Sequence, residues 1–110
     1  MRIQRTIALP FPPRSAVVSD GKVWVTDVLD DTVVPVDIAS GRVLPAVRVG
    51  RGASGVAATP GAVWVANASD ATVSRVDTAT RRVVATIRVG GFPSELAAGR
   101  GAVWVTSHAL

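Results

Sequence analysis

The side chains capable of chemistry are few, and most fall where the chain is expected to turn. There is one histidine, His108, and neither cysteine nor tyrosine. The absence of cysteine removes disulfides, thiolate nucleophiles and the usual structural zinc sites. Asp27, Asp30, Asp31 and Asp70 follow short apolar runs, with Asn67 and Arg51 close by and Phe92, Glu95 and His108 further on. Carboxylates with loop carbonyls suit a hard cation, but these lack the spacing of a calcium loop. Asp at strand ends also accepts hydrogen bonds from turn amides, so a structural role is expected, with no metal and no cofactor. Asp37 and Asp77 open the turns Asp-x-x-Ser-Gly-Arg and Asp-x-x-Thr-Arg-Arg and are expected to be turn formers. No base, nucleophile and orienting partner can be assembled from this inventory, so no catalytic residue is assigned.

Charge adds one further class. The 110 residues carry 12 Lys+Arg against 8 Asp+Glu, a net +4. Arg2, Arg42, Arg82, Arg48 and Arg88 recur at equivalent places and could contact phosphates. No aromatic residues interleave with them as a single-strand binder requires. A solvated basic rim that blunts an edge strand is the simpler reading, and nucleic acid is disfavoured. With 48% hydrophobic and 18% charged residues the chain should fold or associate. No apolar run approaches the roughly 18 residues of a membrane span, and Pro10, Pro12 and Pro13 cut the opening stretch too short for a secretion signal.

An internal repeat positions all of these residues. Val-Trp-Val occurs at 23–25, 63–65 and 103–105, a step of 40, each time preceded by a glycine: Gly21, Gly61 and Gly101. The same step matches Asp30 with Asp70, Val36-Asp37 with Val76-Asp77, Arg48-Val49-Gly50 with Arg88-Val89-Gly90, and Ser54 with Ser94. Ile3, Ile7 and Leu9 stand in the phase of Val83, Ile87 and Val89. Apolar residues alternate with period two and are rich in Val, Ile and Thr, so the elements are strands. Four fit per period: 16–19, 22–27, 32–37 and 42–49 in the first, with equivalents 40 residues on. Hairpin-length links make neighbours antiparallel. A four-stranded antiparallel unit of this period is a β-propeller blade.

With strands lettered A to D from the axis outward, strand A is expected at Val56-Ala57-Ala58 and Leu96-Ala97-Ala98. Trp24, Trp64 and Trp104 on strand B are expected as packing anchors between blades, each burying on the order of 200 Å². Pro35 and Pro45 are expected to interrupt strands C and D of the first repeat. The expected D-to-A links are 50–54 and 90–94; the B-to-C links are 27–31, 67–71 and 107–110. These share one face, where ligand contacts would lie.

The string Gly-Ala-Val-Trp-Val-Ala-Asn, followed by Asp-Ala-Thr-Val-Ser-Arg-Val-Asp-Thr-Ala-Thr-Arg-Arg-Val-Val-Ala-Thr-Ile-Arg-Val-Gly, resembles the YVTN-type β-propeller repeat of bacterial surface and periplasmic proteins. The resemblance covers nearly the whole chain and implies a binding or scaffold domain outside the cytoplasm. His108 and Glu95 also invite comparison with virginiamycin B lyase, a propeller enzyme that uses a His, a Glu and a metal. The match is poor: its repeats resemble Leu-Trp-Phe-Thr-Glu, and Val-Trp-Val-Thr-Ser-His lacks the acid.

The chain thus reads as all-β: a D strand within 1–10, a blade over 15–50, a blade over 55–90, and strands A and B over 95–110. About 2.75 repeats are fewer than the roughly 4 to 8 blades of a closed ring. The expectation is a segment of a longer propeller or a head-to-tail assembly of copies, two of which would supply six blades.

Overall fold

The structure is a computed structural model that describes residues 2–108. The first sheet has the order β1 (Ala16–Ser19), β2 (Lys22–Asp27), β3 (Thr32–Asp37), β4 (Val47–Arg48), and the second β5 (Ala53–Thr59), β6 (Ala62–Asn67), β7 (Thr72–Asp77), β8 (Arg82–Arg88). A third sheet pairs β9 (Phe92–Gly99) with β10 (Ala102–His108). Every pairing is antiparallel. The two complete sheets share one register: Val23 opposes Val36 as Val63 opposes Val76, and Thr32 opposes Arg48 as Thr72 opposes Arg88. These are propeller blades, with β1, β5 and β9 side by side as the innermost strands.

Blade stacking makes the core. Trp24, Val33 and Val47 of the first sheet meet Ala53, Val56, Val63, Val65 and Val76 of the second. Trp24 is fully buried, and its indole N–H donates to the Ser19 carbonyl at 3.0 Å. The innermost strands approach closely enough that a Cβ on Gly55 would strike the Ser94 carbonyl. Thr26 Oγ1 donates to the Ser54 carbonyl at 2.6 Å, and Ser54 Oγ to the Ser94 carbonyl at 3.1 Å, so side-chain hydroxyls stitch the three sheets near the axis.

Several boundaries differ from expectation. The second and third A strands begin earlier, at Ala53 and Phe92, which shortens the preceding links. Strand C of the first blade runs unbroken through Pro35, because its carbonyl faces outward and accepts the Leu44 N–H at 2.9 Å. The missing N–H falls on that same outer side, so the ladder to β2 is untouched. Strand D pays instead: it is reduced to Val47–Arg48 and a lone Val36–Val43 bridge. Pro45 lies in the gap between that bridge and β4, where it brings no N–H to the ladder, whereas Ala85 at the equivalent place of the second blade pairs with Arg75.

The D strand expected within 1–10 joins no ladder over its described residues, 2–10. Ile7 and Leu9 border a cleft with Ala16, Val23, Val25 and Val36, one period before Val47 and Val49 pack with Ala53, Val63, Val65 and Val76. Arg5 donates to the Ile38 carbonyl at 2.9 Å. A D strand needs a C strand beside it, and the described residues provide none at that place.

Candidate functional site

The link from β4 to β5 is built around three consecutive amides. Asn67 Oδ1 accepts the Gly50 N–H at 3.1 Å, Asp70 Oδ2 the Arg51 N–H at 2.9 Å, and Asp31 Oδ1 the Gly52 N–H at 3.1 Å. Asp70 Oδ1 also takes the Arg51 Nε at 3.2 Å. In return the Arg51 and Gly52 carbonyls accept the Ser69 and Ala68 N–H groups. Gly52 holds φ +77, and a Cβ there would stand 2.7 Å from the Ser69 nitrogen, so only glycine fits this close approach. Asp31 belongs to the first blade and Asn67 and Asp70 to the second, so the link is a clasp between blades.

Four of the sequence-selected residues, Asp31, Arg51, Asn67 and Asp70, are therefore brought together, but onto one another. A run of free amides could cradle an anion; here each already has a side-chain acceptor. Asn67 is fully buried, and its Nδ2 donates to Thr72 Oγ1 at 3.1 Å and Ser74 Oγ at 2.9 Å. Asp70 is held below the ordinary carboxylate range, first by the Arg51 amide, then by hydrogen bonding from the Arg51 side chain and by its charge.

The remaining selected residues scatter. Asp27 is buried at the end of β2, its Oδ1 accepting the Leu29 N–H at 3.1 Å; Asp30 is exposed in the following turn. Phe92, Glu95 and His108 lie in strands, not in loops, because β9 and β10 extend further than the repeat arithmetic implied. His108 opposes Phe92, while Glu95 opposes Thr106 and sends its carboxylate to Arg14 at 3.6 Å. Among the described residues no ion pair joins Glu95 to His108, and no three His, Asp or Glu side chains converge as metal ligands. The B-to-C link at 107–110 lies partly outside the described residues.

On the opposite face Asp37 accepts Ser40 Oγ at 2.6 Å and Ser40 N–H at 2.9 Å, and Asp77 accepts the Ala79 and Thr80 amides at 2.9 and 3.0 Å. The three tryptophans differ sharply in burial. Trp24 is sealed, Trp64 borders a groove of about 620 Å³ with Ala58, Ala98 and Val103, and Trp104 is 63% exposed. Arg75 covers part of the Trp64 ring from 5.4 Å. Sequence reasoning missed this groove and the Arg14–Glu95 pair, since each joins residues of different repeats that are far apart in the chain.

The fold recurs in solved proteins. Hydrazine synthase of Kuenenia stuttgartiensis superposes with TM-score 0.82 at 24% identity, covering 97% of this chain and 33% of that one. AztD of Citrobacter koseri gives 0.75 at 18%, covering 96% and 30%. The RRP9 WD40 repeats give 0.79 at 18%, covering 97% and 35%. The chain spans about a third of these proteins, and the likeness establishes a β-propeller fold. No protein-family profile and no curated protein sequence matches it.

Proposed function

We propose that this chain is a non-catalytic interaction module of the β-propeller kind, whose copies join head to tail through the open blade at its C-terminal end. The observation that carries the reading is Trp104. Its counterpart Trp24 is sealed by the following blade, whereas Trp104 is 63% exposed on the last sheet and invites the same cover. At the other end residues 2–10 lie in the place of a D strand whose inner strands belong to no described part of this chain. The β9–β10 pair of a neighbour would supply strands A and B of that blade. Each chain then contributes three blade positions, and two chains give a six-bladed ring. The repeats are assigned to the YVTN type on the Val-Trp-Val-Ala-Asn string at 63–67, which favours a binding or scaffold role outside the cytoplasm.

Light scattering on the purified chain tests this. The expected result is a particle of about twice the 11.3 kDa chain mass, returned to monomer by Trp104→Asp with an unchanged circular dichroism spectrum. A folded, monodisperse wild-type monomer at millimolar concentration overturns it.

A further inference from the structure

We propose that the cleft between the outer strands of the first and second sheets binds a phosphate group, either as the free anion or as the monoester of a small molecule. The cleft is about 490 Å³ and is bordered by Arg48 of the first sheet and by Thr72, Ser74, Thr86 and Arg88 of the second. The ladder gathers these side chains. Thr72 opposes Arg88 and Ser74 opposes Thr86, and strand alternation sets Thr72 and Ser74 on the face whose next member, Val76, packs in the Trp24 cluster between the sheets. Two guanidinium forks and three hydroxyls are a donor set suited to the terminal oxygens of a phosphate. Neither Arg48 nor Arg88 enters an ion pair among the described residues. Asp70 is the carboxylate at the cleft, and both its oxygens are engaged by Arg51, whose charge offsets it.

The deepest donors are turned toward the cleft by the clasp. Asn67 Oδ1 accepts the Gly50 N–H, which sets the orientation of the amide, and its Nδ2 donates to both Ser74 Oγ and Thr72 Oγ1. Both hydroxyls act as acceptors in those bonds, so their own protons are left to donate. Ser74 is 1% exposed and borders the cleft. The repeat shows that stacking alone does not ask for these groups. Ser74 and Thr86 stand where the first repeat has Val34 and Ala46, whereas Thr72 and Arg88 match Thr32 and Arg48. Val34 is buried, so an apolar residue serves that position. Hydroxyls placed in such an interface cost free energy unless they are bonded. A phosphate between Arg48 and Arg88 is an acceptor for all of them.

This goes beyond the module reading and does not depend on association of copies, because the cleft lies wholly between the two four-stranded sheets.

The test is calorimetric titration of the full chain, at low ionic strength, with inorganic phosphate and separately with glucose 1-phosphate. One-to-one saturation with Kd below about 1 mM is expected. Arg48→Gln and Arg88→Gln should each weaken binding at least about tenfold, and Ser74→Val, which installs the first-repeat residue, about fivefold. Arg82→Gln removes the same charge from the other end of β8 and should change the affinity less than about twofold. Both cleft arginines are exposed, so their variants keep the test decisive if Ser74→Val fails to fold. Equal affinity for the two probes assigns the free anion and tighter binding of the ester assigns a phosphorylated small molecule; either upholds the site. No saturation at millimolar phosphate, or equal losses in Arg82→Gln and Arg88→Gln, overturns it. An oligonucleotide that binds more tightly than either probe and loses that affinity in Arg88→Gln gives the cleft to nucleic acid and also overturns it.

Discussion

Asn67 shows how a residue that reads as a ligand contact becomes part of the frame. Its side chain satisfies one backbone donor and two hydroxyls while fully buried. Asn67→Ala should cost about 2 to 3 kcal/mol in urea unfolding, because the Gly50 N–H and the hydroxyl pair lose their partner in a site with little water. Asp70 gives a pH signature. Its carboxyl, like those of Asp37 and Asp77, titrates below the ordinary value of 3.8 in the folded chain. The Arg51 amide is the main cause for Asp70, the Ser40 hydroxyl for Asp37 and the Thr80 amide for Asp77. A depressed folded pKa means the stabilisation is complete above the unfolded value and is lost as pH falls through the folded one. Stability should therefore hold from neutral pH down to about 4 and decline below it. Asp70→Asn should flatten part of that decline in urea midpoints taken down to about pH 2.

At the scale of elements, the same strand sequence meets different fates according to what faces it. Trp24 and Trp104 occupy one repeat position, yet one lies between two sheets and the other on an open face. Trp24→Ala should destabilise by about 3 to 5 kcal/mol. Trp104→Ala should change the unfolding of the monomer by no more than about 0.5 kcal/mol. Calorimetry of the two variants at dilute concentration checks the contrast. Strand β4 is short where Pro45 removes a donor from strand D. Pro45→Ala, which installs the residue type of Ala85, returns one donor toward the Pro35 carbonyl. Slower amide exchange over 43–48 is the expected outcome. These features were partly legible: the prolines were visible in the sequence, but which strand would yield depended on the side to which the Pro35 carbonyl points.

At the scale of the whole molecule, the described residues form three sheets in an open fan, in which β10 is laddered to β9 and the Trp104 indole is exposed. The chain covers about a third of each of the propellers it resembles. The loop face keeps Asp30, Leu29, Phe92 and the Arg51 side chain exposed, while the clasp ties up Asp31, Asn67 and Asp70.

The 40-residue step and the period-two alternation by themselves determined the strand order, the antiparallel pairing and the phase of every tryptophan. They could do so because ladder register and side-chain alternation are local and repeat with the chain. Only the tertiary structure decided which acidic residues hold a neighbouring blade, which tryptophan is sealed, and where the groove opens. Each of those depends on atoms brought together from different repeats, where identical positions have unequal neighbours.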